Sequence, residues 1–292
     1  RSRSCFKFKF FMIVWLASYP KSGNTWLRAL LSGYFFSKEG SFNFDLLKKI
    51  DQYPSAPYFE KYDDLFLKPE STSKYWLQEQ IRINQDNKLR FFKTHNALCK
   101  INNNSFTNEK NTLGAIYIIR DPRNIVSSLA HHYQINNYDA FQFMKDEKKC
   151  IIEKKQEKFL GFNALFSWAF HQKSWTECKQ FPVLTIRYED LENETFKTLK
   201  IVLKFIQEIS NIEKKFDKEK AKKIIQECNF DKLQKLEKTN GFRESMIGKQ
   251  SNQRLRFFNL GSKNNYKKLL DNDLIYQMNV LYKTELQKYN YE

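Results

Sequence analysis

Along this chain, short apolar runs alternate with stretches whose apolar residues recur at helical spacing. Strand-like runs lie at 13–17 (IVWLA), 89–92 (LRFF), 115–119 (AIYII) and 183–187 (VLTIR). The first is apolar at every position and too short to cross a membrane, which is the pattern of a strand buried on both faces. After it, Leu27, Leu30, Leu31 and Tyr34 repeat with helical period, so IVWLASYPKSGNTWLRALL (13–31) reads as strand, turn, helix. Clear helical spacing returns at 193–209, 217–228 and 271–289, whereas 37–87, with Pro54, Pro57 and Pro69, reads as loops and short helices. The stretch 134–160 reads as similarly peripheral. This alternation predicts an α/β fold: a single domain with a central, mostly parallel sheet flanked by helices on both faces.

In such sheets ligands gather at the carboxyl ends of the strands. Each distinctive polar cluster of this chain sits at such an end. Lys21, Ser22, Gly23, Asn24 and Thr25 follow the first run, and Lys93, Thr94 and His95 follow the second. Arg120, Asp121, Pro122 and Arg123 follow the third, and Tyr188, Glu189 and Asp190 the fourth. Four clusters at equivalent ends point to one shared site. The first turn is an anion site in principle, because backbone N–H groups at a helix start lack intrahelical partners and carry the positive end of the helix dipole. Gly23 lets the backbone approach closely, Ser22 and Thr25 add hydroxyls, and Lys21 adds a full charge. On these features alone, a capped connection with a surface lysine is an equal reading.

Composition narrows the partners. The 292 residues carry 50 Lys+Arg against 33 Asp+Glu, and the resulting +17 favours anions such as nucleotides, nucleic acid or acidic surfaces. Much of that charge lies in mixed runs such as KDEKKCIIEKKQEK (145–158), which read as a solvated helix face. The five cysteines, Cys5, Cys99, Cys150, Cys178 and Cys228, show no C-x-x-C spacing, which favours a reduced, cytoplasmic setting over a disulfide framework or a zinc site. No run suggests a membrane span. The basic stretch RSRSCFKFKFF (1–11) is expected to lie upstream of the domain, with the domain running over 12–292 from Met12.

YPKSGNTW (19–26) resembles the phosphosulfate-binding loop of the cytosolic-type sulfotransferases, which use 3′-phosphoadenosine 5′-phosphosulfate (PAPS) and have a P-loop-NTPase-like fold. It is unlike a Walker A loop, whose Lys follows the final Gly, since Lys21 precedes the only Gly of the turn. IIRDPRNIVSSLAHHY (118–133) resembles the family's 3′-phosphate segment, with Arg120 and Ser128 at the required spacing, and FFKTHNAL (91–98) resembles the segment whose His is the catalytic base. SWAFHQKSW (167–175) looks like the helix before the adenine-side strand, and RYEDL (187–191) puts Tyr188 where a family tyrosine approaches adenine. Trp26 matches the tryptophan that stacks on adenine, and CNFDKLQKLEK (228–238) supplies Phe230 beside the base. The match weakens at FFNLGSKNNYKKLL (257–270). Gly261 aligns with the family pattern F-x-R-K-G-x-x-G-x-W, but Asn259 and Leu260 replace its basic pair, Asn264 its second glycine and Tyr266 its Trp. Arg254, Arg256 and Lys263 are the candidates to compensate.

The resemblance implies a sulfotransferase that moves a sulfuryl group from PAPS to a hydroxyl or amine of a small-molecule acceptor and releases adenosine 3′,5′-bisphosphate, without metal. In that scheme His95 takes the acceptor's proton, Lys21 neutralises the bridging oxygen of the leaving group and Lys93 the sulfonate. Ser22, Gly23, Asn24 and Thr25 hold the 5′-phosphate. Two other classes stay open: a P-loop-type nucleotide kinase needing ATP and Mg²⁺, and a non-catalytic polyanion- or nucleic-acid-binding protein. A specific nucleic-acid partner is not expected, and no dimer motif is recognised.

Overall fold

The computed structural model describes residues 12–62, 64, 66–212, 215–249 and 253–291, so the basic stretch 1–11 lies outside the described residues. In chain order the strands are β1 (Ile13–Ser18), β2 (Asp51–Gln52), β3 (Arg90–Thr94), β4 (Lys100–Ile101), β5 (Asn104–Ser105), β6 (Thr112–Ile119), β7 (Cys150–Lys155), β8 (Lys158–Ala164) and β9 (Val183–Arg187). The first helices are α1 (Asn24–Phe36), α2 (Trp76–Ile83), α3 (Pro122–Tyr133), α4 (Asn137–Lys145), α5 (Trp168–Thr176) and α6 (Tyr188–Asn193). They are followed by α7 (Thr195–Ser210), α8 (Lys218–Glu227), α9 (Phe230–Asn240), α10 (Tyr266–Leu269), α11 (Asn272–Leu281) and α12 (Lys283–Lys288).

Five strands form one parallel sheet in the order β2-β3-β1-β6-β9. All its strands therefore end on the same edge. Ala17 pairs with Thr94, Ser18 with Ile118, and Ile119 with Arg187, so the loops that carry the four polar clusters leave the sheet side by side. Successive residues of β1 face opposite sides of the sheet, as the pleat requires. Trp15 and Ala17 join a core with Ile125, Leu129, Phe141, Trp168 and Met278 from α3, α4, α5 and α11. Val14 and Leu16 join a second core with Leu27, Leu30, Val202, Ile224 and Leu233 from α1, α7, α8 and α9. Both faces of the sheet are thus covered. Each large aliphatic side chain withdrawn from water in this way contributes about 1.5–3 kcal/mol, and the indole N–H of Trp15 is satisfied by Thr112 Oγ1 at 2.9 Å.

Two local expectations are corrected, at 145–158 and at 271–289. The charged run at 145–158 is no helix face but the end of α4 and an antiparallel hairpin, β7–β8, whose turn at Gln156 has φ 53. Its outer strand, Glu153 to Lys155, is exposed, which explains its charge, while Leu160, Phe162 and Ala164 of β8 reach the core. The segment 228–238 contains a helix, α9, capped by the Asn229 side chain on the N–H of Lys232. The expected helix at 271–289 is two helices, α11 and α12, separated at Tyr282.

Candidate active site

Between β1 and α1 the backbone enters the left-handed region twice, at Lys21 (φ 68) and Gly23 (φ 96). For Lys21 that conformation costs energy, which marks the turn as a place where function overrides preference. Gly23 is required for a second reason. A Cβ there would lie 2.4 Å from Tyr188 Cδ2, so the Tyr188 ring rests directly on the turn. Asn24 braces it from inside, its Nδ2 donating to Leu16 O at 2.8 Å and to Ser18 Oγ at 3.1 Å. The Asn24 amide nitrogen is thereby committed to β1, while its Oδ1 has no partner among the described residues.

Arg120, at the end of β6, reaches across to the same turn. Its Nη1 donates to the Lys21 carbonyl at 3.0 Å, and its guanidinium lies over the Tyr188 ring at 4.2 Å. Trp26 stands 6.0 Å from Tyr188, edge to face, and its indole donates to Cys228 O at 2.8 Å, just before Phe230 opens α9. Gly261 (φ 54) lies against Phe230, where a Cβ would approach the ring to 2.9 Å. The family-matched residues Gly23, Trp26 and Arg120 thus all meet the Tyr188 ring, while Gly261 meets Phe230, two residues after the carbonyl that Trp26 bonds. Ser128 is half-buried two turns along α3, beside Ser127, whose hydroxyl donates to Asn264 Oδ1 at 2.6 Å. Asn264 also donates to Asn124 O, and Tyr266 lies under the Arg123 guanidinium at 4.1 Å, so 264–266 dock on α3 in place of the family's glycine and tryptophan. Of the three candidates to replace the missing basic pair, Arg254 is occupied by Phe242 O at 2.7 Å.

On the other side of β1, β3 delivers Lys93 and His95. Lys93 is buried and ion-paired to Glu244, Nζ to Oε2, at 2.8 Å. His95 Nδ1 lies 2.8 Å from the carbonyl oxygen of Ser18. A carbonyl only accepts, so Nδ1 carries the proton and the lone pair belongs to Nε2. His171 on α5 and Tyr117 on β6 complete the support. His171 Nε2 is 3.0 Å from His95 O, and Tyr117 OH is 2.9 Å from His171 Nδ1.

Burial sets the protonation states. It lowers His95 to about 3, reinforced by Lys93, so this imidazole is neutral at neutral pH. It lowers Lys21 to about 7, helped by the nearby charges of Lys93 and Arg120. The Lys21 ammonium lies over the Phe257 ring at 4.0 Å. The buried donors Ser22 Oγ and Arg120 Nε, and the acceptor Asn24 Oδ1, have no hydrogen-bond partner among the described residues. Orphaned donors beside cations at a helix start are what an oxyanion ligand would satisfy.

Several residues of the site escape sequence reading. Arg28, one turn beyond Thr25 on α1, carries a charge on a buried helix face, which was a readable signal. His132 had a weaker one. It lies edge-on to Phe257, and burial, with Lys21 and Lys93 nearby, lowers it to about 3. Glu244 lies in a segment without hydrophobic period and had none.

The parallel sheet and its strand-end site define a P-loop-like α/β protein. Within that class the chain belongs to the sulfotransferase domain family, whose model matches residues 13–290. It is 24% identical over 244 residues to the amine sulfotransferase of Oryctolagus cuniculus and 25% identical over 217 residues to sulfotransferase 1 family member D1 of Mus musculus. Those alignments cover 82% and 74% of this chain but 69% and 63% of the relatives, so the chain spans about two-thirds of their length. Among solved structures, mouse sulfotransferase SULT7A1 complexed with PAP and retinol dehydratase with androsterone and inactive cofactor PAP share the fold. Each has a TM-score of 0.57 at 18% identity over 94% of this chain, covering 85% and 80% of those chains respectively. Among the described residues no helix is long and apolar enough to cross a membrane.

Proposed function

We propose that this protein transfers a sulfuryl group from PAPS to the hydroxyl or amine of a small-molecule acceptor, with His95 as general base. The observation that carries the reading is the His95 tautomer: the proton on Nδ1, donated to Ser18 O at 2.8 Å, leaves Nε2 able to accept another. The orphaned Ser22 Oγ and Arg120 Nε, with the half-buried Lys21 and the buried Lys93, suit a phosphosulfate and its nucleotide. PAPS supplies the activated sulfuryl group when bound.

In this reading Lys21 and the 22–25 turn, with Thr25 Oγ1 and the backbone N–H groups, hold the 5′-phosphate side. Lys21 and Lys93 offset the charge that grows on the leaving and sulfonate oxygens. Arg120 and Ser128 grip the 3′-phosphate, Arg120 by the planar fork that suits phosphate. Trp26, Tyr188, Phe230 and Gly261 form the adenine side. His95 Nε2 takes the acceptor's proton as the acceptor–sulfur bond forms and the bond between sulfur and the nucleotide's phosphate oxygen breaks. Holding both reactants in line supplies much of the rate.

An acceptor with an amine or hydroxyl accords with the amine sulfotransferase relative and with the androsterone and retinol named for the structural neighbours. A cytoplasmic setting suits the free Cys99, Cys150, Cys178 and Cys228. The test is transfer of label from sulfur-labelled PAPS across a panel of phenols, sterols and amines, for wild type and His95→Ala. Transfer by the wild type that falls at least ~100-fold in the variant supports the reading. Equal turnover in both would place the base elsewhere, and absence of transfer with ATP- and Mg²⁺-dependent phosphorylation instead would replace the reading with a kinase.

A further inference from the structure

The segment between α9 and Phe257 sends a carboxylate into the cluster just described. Glu244 Oε2 lies 2.8 Å from Lys93 Nζ and accepts from Thr25 Oγ1 at 3.2 Å, while Oε1 lies 2.5 Å from Arg28 Nη1. These three partners come from β3 and from the first two turns of α1, and two of them, Lys93 and Thr25, are the side chains assigned above to the sulfonate and the 5′-phosphate. Their cations hold the Glu244 carboxyl well below the usual carboxylate range, so it is fully ionised. An ionised carboxylate shares with a phosphate or sulfonate face its charge, its oxygens and its taste for Lys and Arg donors.

We propose that Glu244 is a built-in occupant of the phosphosulfate subsite, which an incoming nucleotide must displace. The proposal rests on the PAPS reading for the identity of the competitor, but on geometry alone for the occupancy. Lys93 is 95% buried, and a buried ammonium left without a counter-anion would be costly. Glu244 removes that cost while the site is empty of ligand, and a ligand's oxyanion takes over the same donors when bound.

The attachment of the segment is consistent with displacement. Its contacts with the rest of the chain include Ser245 Oγ to Glu237 Oε1 at 2.7 Å, Lys249 N to Gln134 Oε1 at 2.6 Å and Gln134 Nε2 to Ile247 O at 3.1 Å. It closes on itself through Leu255 N to Met246 O at 2.7 Å and Gly248 N to Gln253 O at 2.7 Å. The Glu244 side chain is itself 24% exposed, so its carboxylate can be exchanged from the solvent side. Phe257, which covers the Lys21 ammonium, follows directly in the chain.

A tethered competitor lowers affinity by the fraction of molecules in which the site is free. Removing it should therefore tighten binding. Calorimetry of adenosine 3′,5′-bisphosphate with wild type, Glu244→Gln and Glu244→Ala is the test, with melting curves to establish that each variant is folded. Dissociation constants at least ~tenfold lower in both variants support the proposal. Constants equal to wild type within about twofold, or higher, overturn it while leaving the PAPS reading intact. Inorganic pyrophosphate provides a readout independent of the nucleotide. It should raise the melting temperature of Glu244→Gln by more than that of wild type, and an equal rise overturns the proposal. If the variants gain affinity for pyrophosphate but no protein prefers the bisphosphate nucleotide to AMP, the occupancy stands and the PAPS reading falls.

Discussion

His171 Nε2 lies 3.0 Å from the carbonyl oxygen of His95, so one histidine holds the backbone of the other. The same carbonyl-only argument puts a proton on His171 Nε2 and makes its Nδ1 the acceptor of the Tyr117 hydroxyl at 2.9 Å. Trp175 Nε1 on the same helix donates to Asn96 O at 3.0 Å, and Ala164 N donates to Asn96 Oδ1 at 2.8 Å. The loop carrying the proposed base is fixed on several sides by buried groups, which is how a catalytic side chain keeps its orientation.

Tyr117→Phe removes the hydroxyl and leaves a fully buried imidazole nitrogen without its donor. Such a loss costs about 1–3 kcal/mol. Denaturant unfolding should show that loss, while the affinity for adenosine 3′,5′-bisphosphate stays at the wild-type value. Undiminished stability would mean that the Tyr117–His171 bond contributes nothing.

His95→Ala should reduce kcat by at least ~100-fold with little change in nucleotide affinity, because the imidazole serves the acceptor's proton and not the cofactor. A combined loss of kcat and nucleotide binding would instead mark His95 as part of the nucleotide site.

Lys21, lowered to about 7, is largely neutral at pH 8 in the free protein. A bound phosphate dianion favours the ammonium, so binding at pH 8 should take up roughly one proton. Calorimetry of adenosine 3′,5′-bisphosphate in Tris and in HEPES, whose ionisation heats differ, measures that proton. Lys21→Met should show no uptake and weaker binding; uptake persisting in the variant would assign the proton to another group.

Burial lowers His95 and His132 from the usual 6.5 to about 3 and His171 to about 4. Between those values and 6.5 the unfolded chain binds protons that the folded chain does not. Stability from these groups is therefore complete above pH 6.5 and declines as pH falls through the window, by about 1.4 kcal/mol per pH unit for each proton of difference. Denaturant midpoints at pH 7 and pH 5 check the sign: the midpoint should be lower at pH 5. A midpoint unchanged between them would show that these imidazoles charge freely in the folded protein.

The sheet was legible because its four long strands are short apolar runs, and the candidate site because Lys93, Arg120 and Tyr188 follow such a run directly and Lys21 follows one within four residues. Parallel topology then brings those ends together without further information. What sequence reading missed is of two kinds. The hairpin β7–β8 has an outer strand whose exposed lysines and glutamate mask the period-two pattern, since a solvated edge and a solvated helix face share a composition. Glu244 meets Lys93 across 151 positions of chain, from a segment, GFRESMIGK, with neither period nor motif. A contact of that kind depends on how a loop folds back over finished elements, and no local pattern encodes it.

In the proposed function, Arg120 and Ser128 make this site selective for a nucleotide with a phosphate on its 3′ carbon. Calorimetry of adenosine 3′,5′-bisphosphate beside AMP, on the wild-type protein and on Arg120→Ala, reads that selectivity. The wild type should prefer the bisphosphate by at least ~tenfold, the size of a charge-assisted phosphate contact, and the variant should lose that preference. Equal affinities of the wild type for the two nucleotides would contradict it.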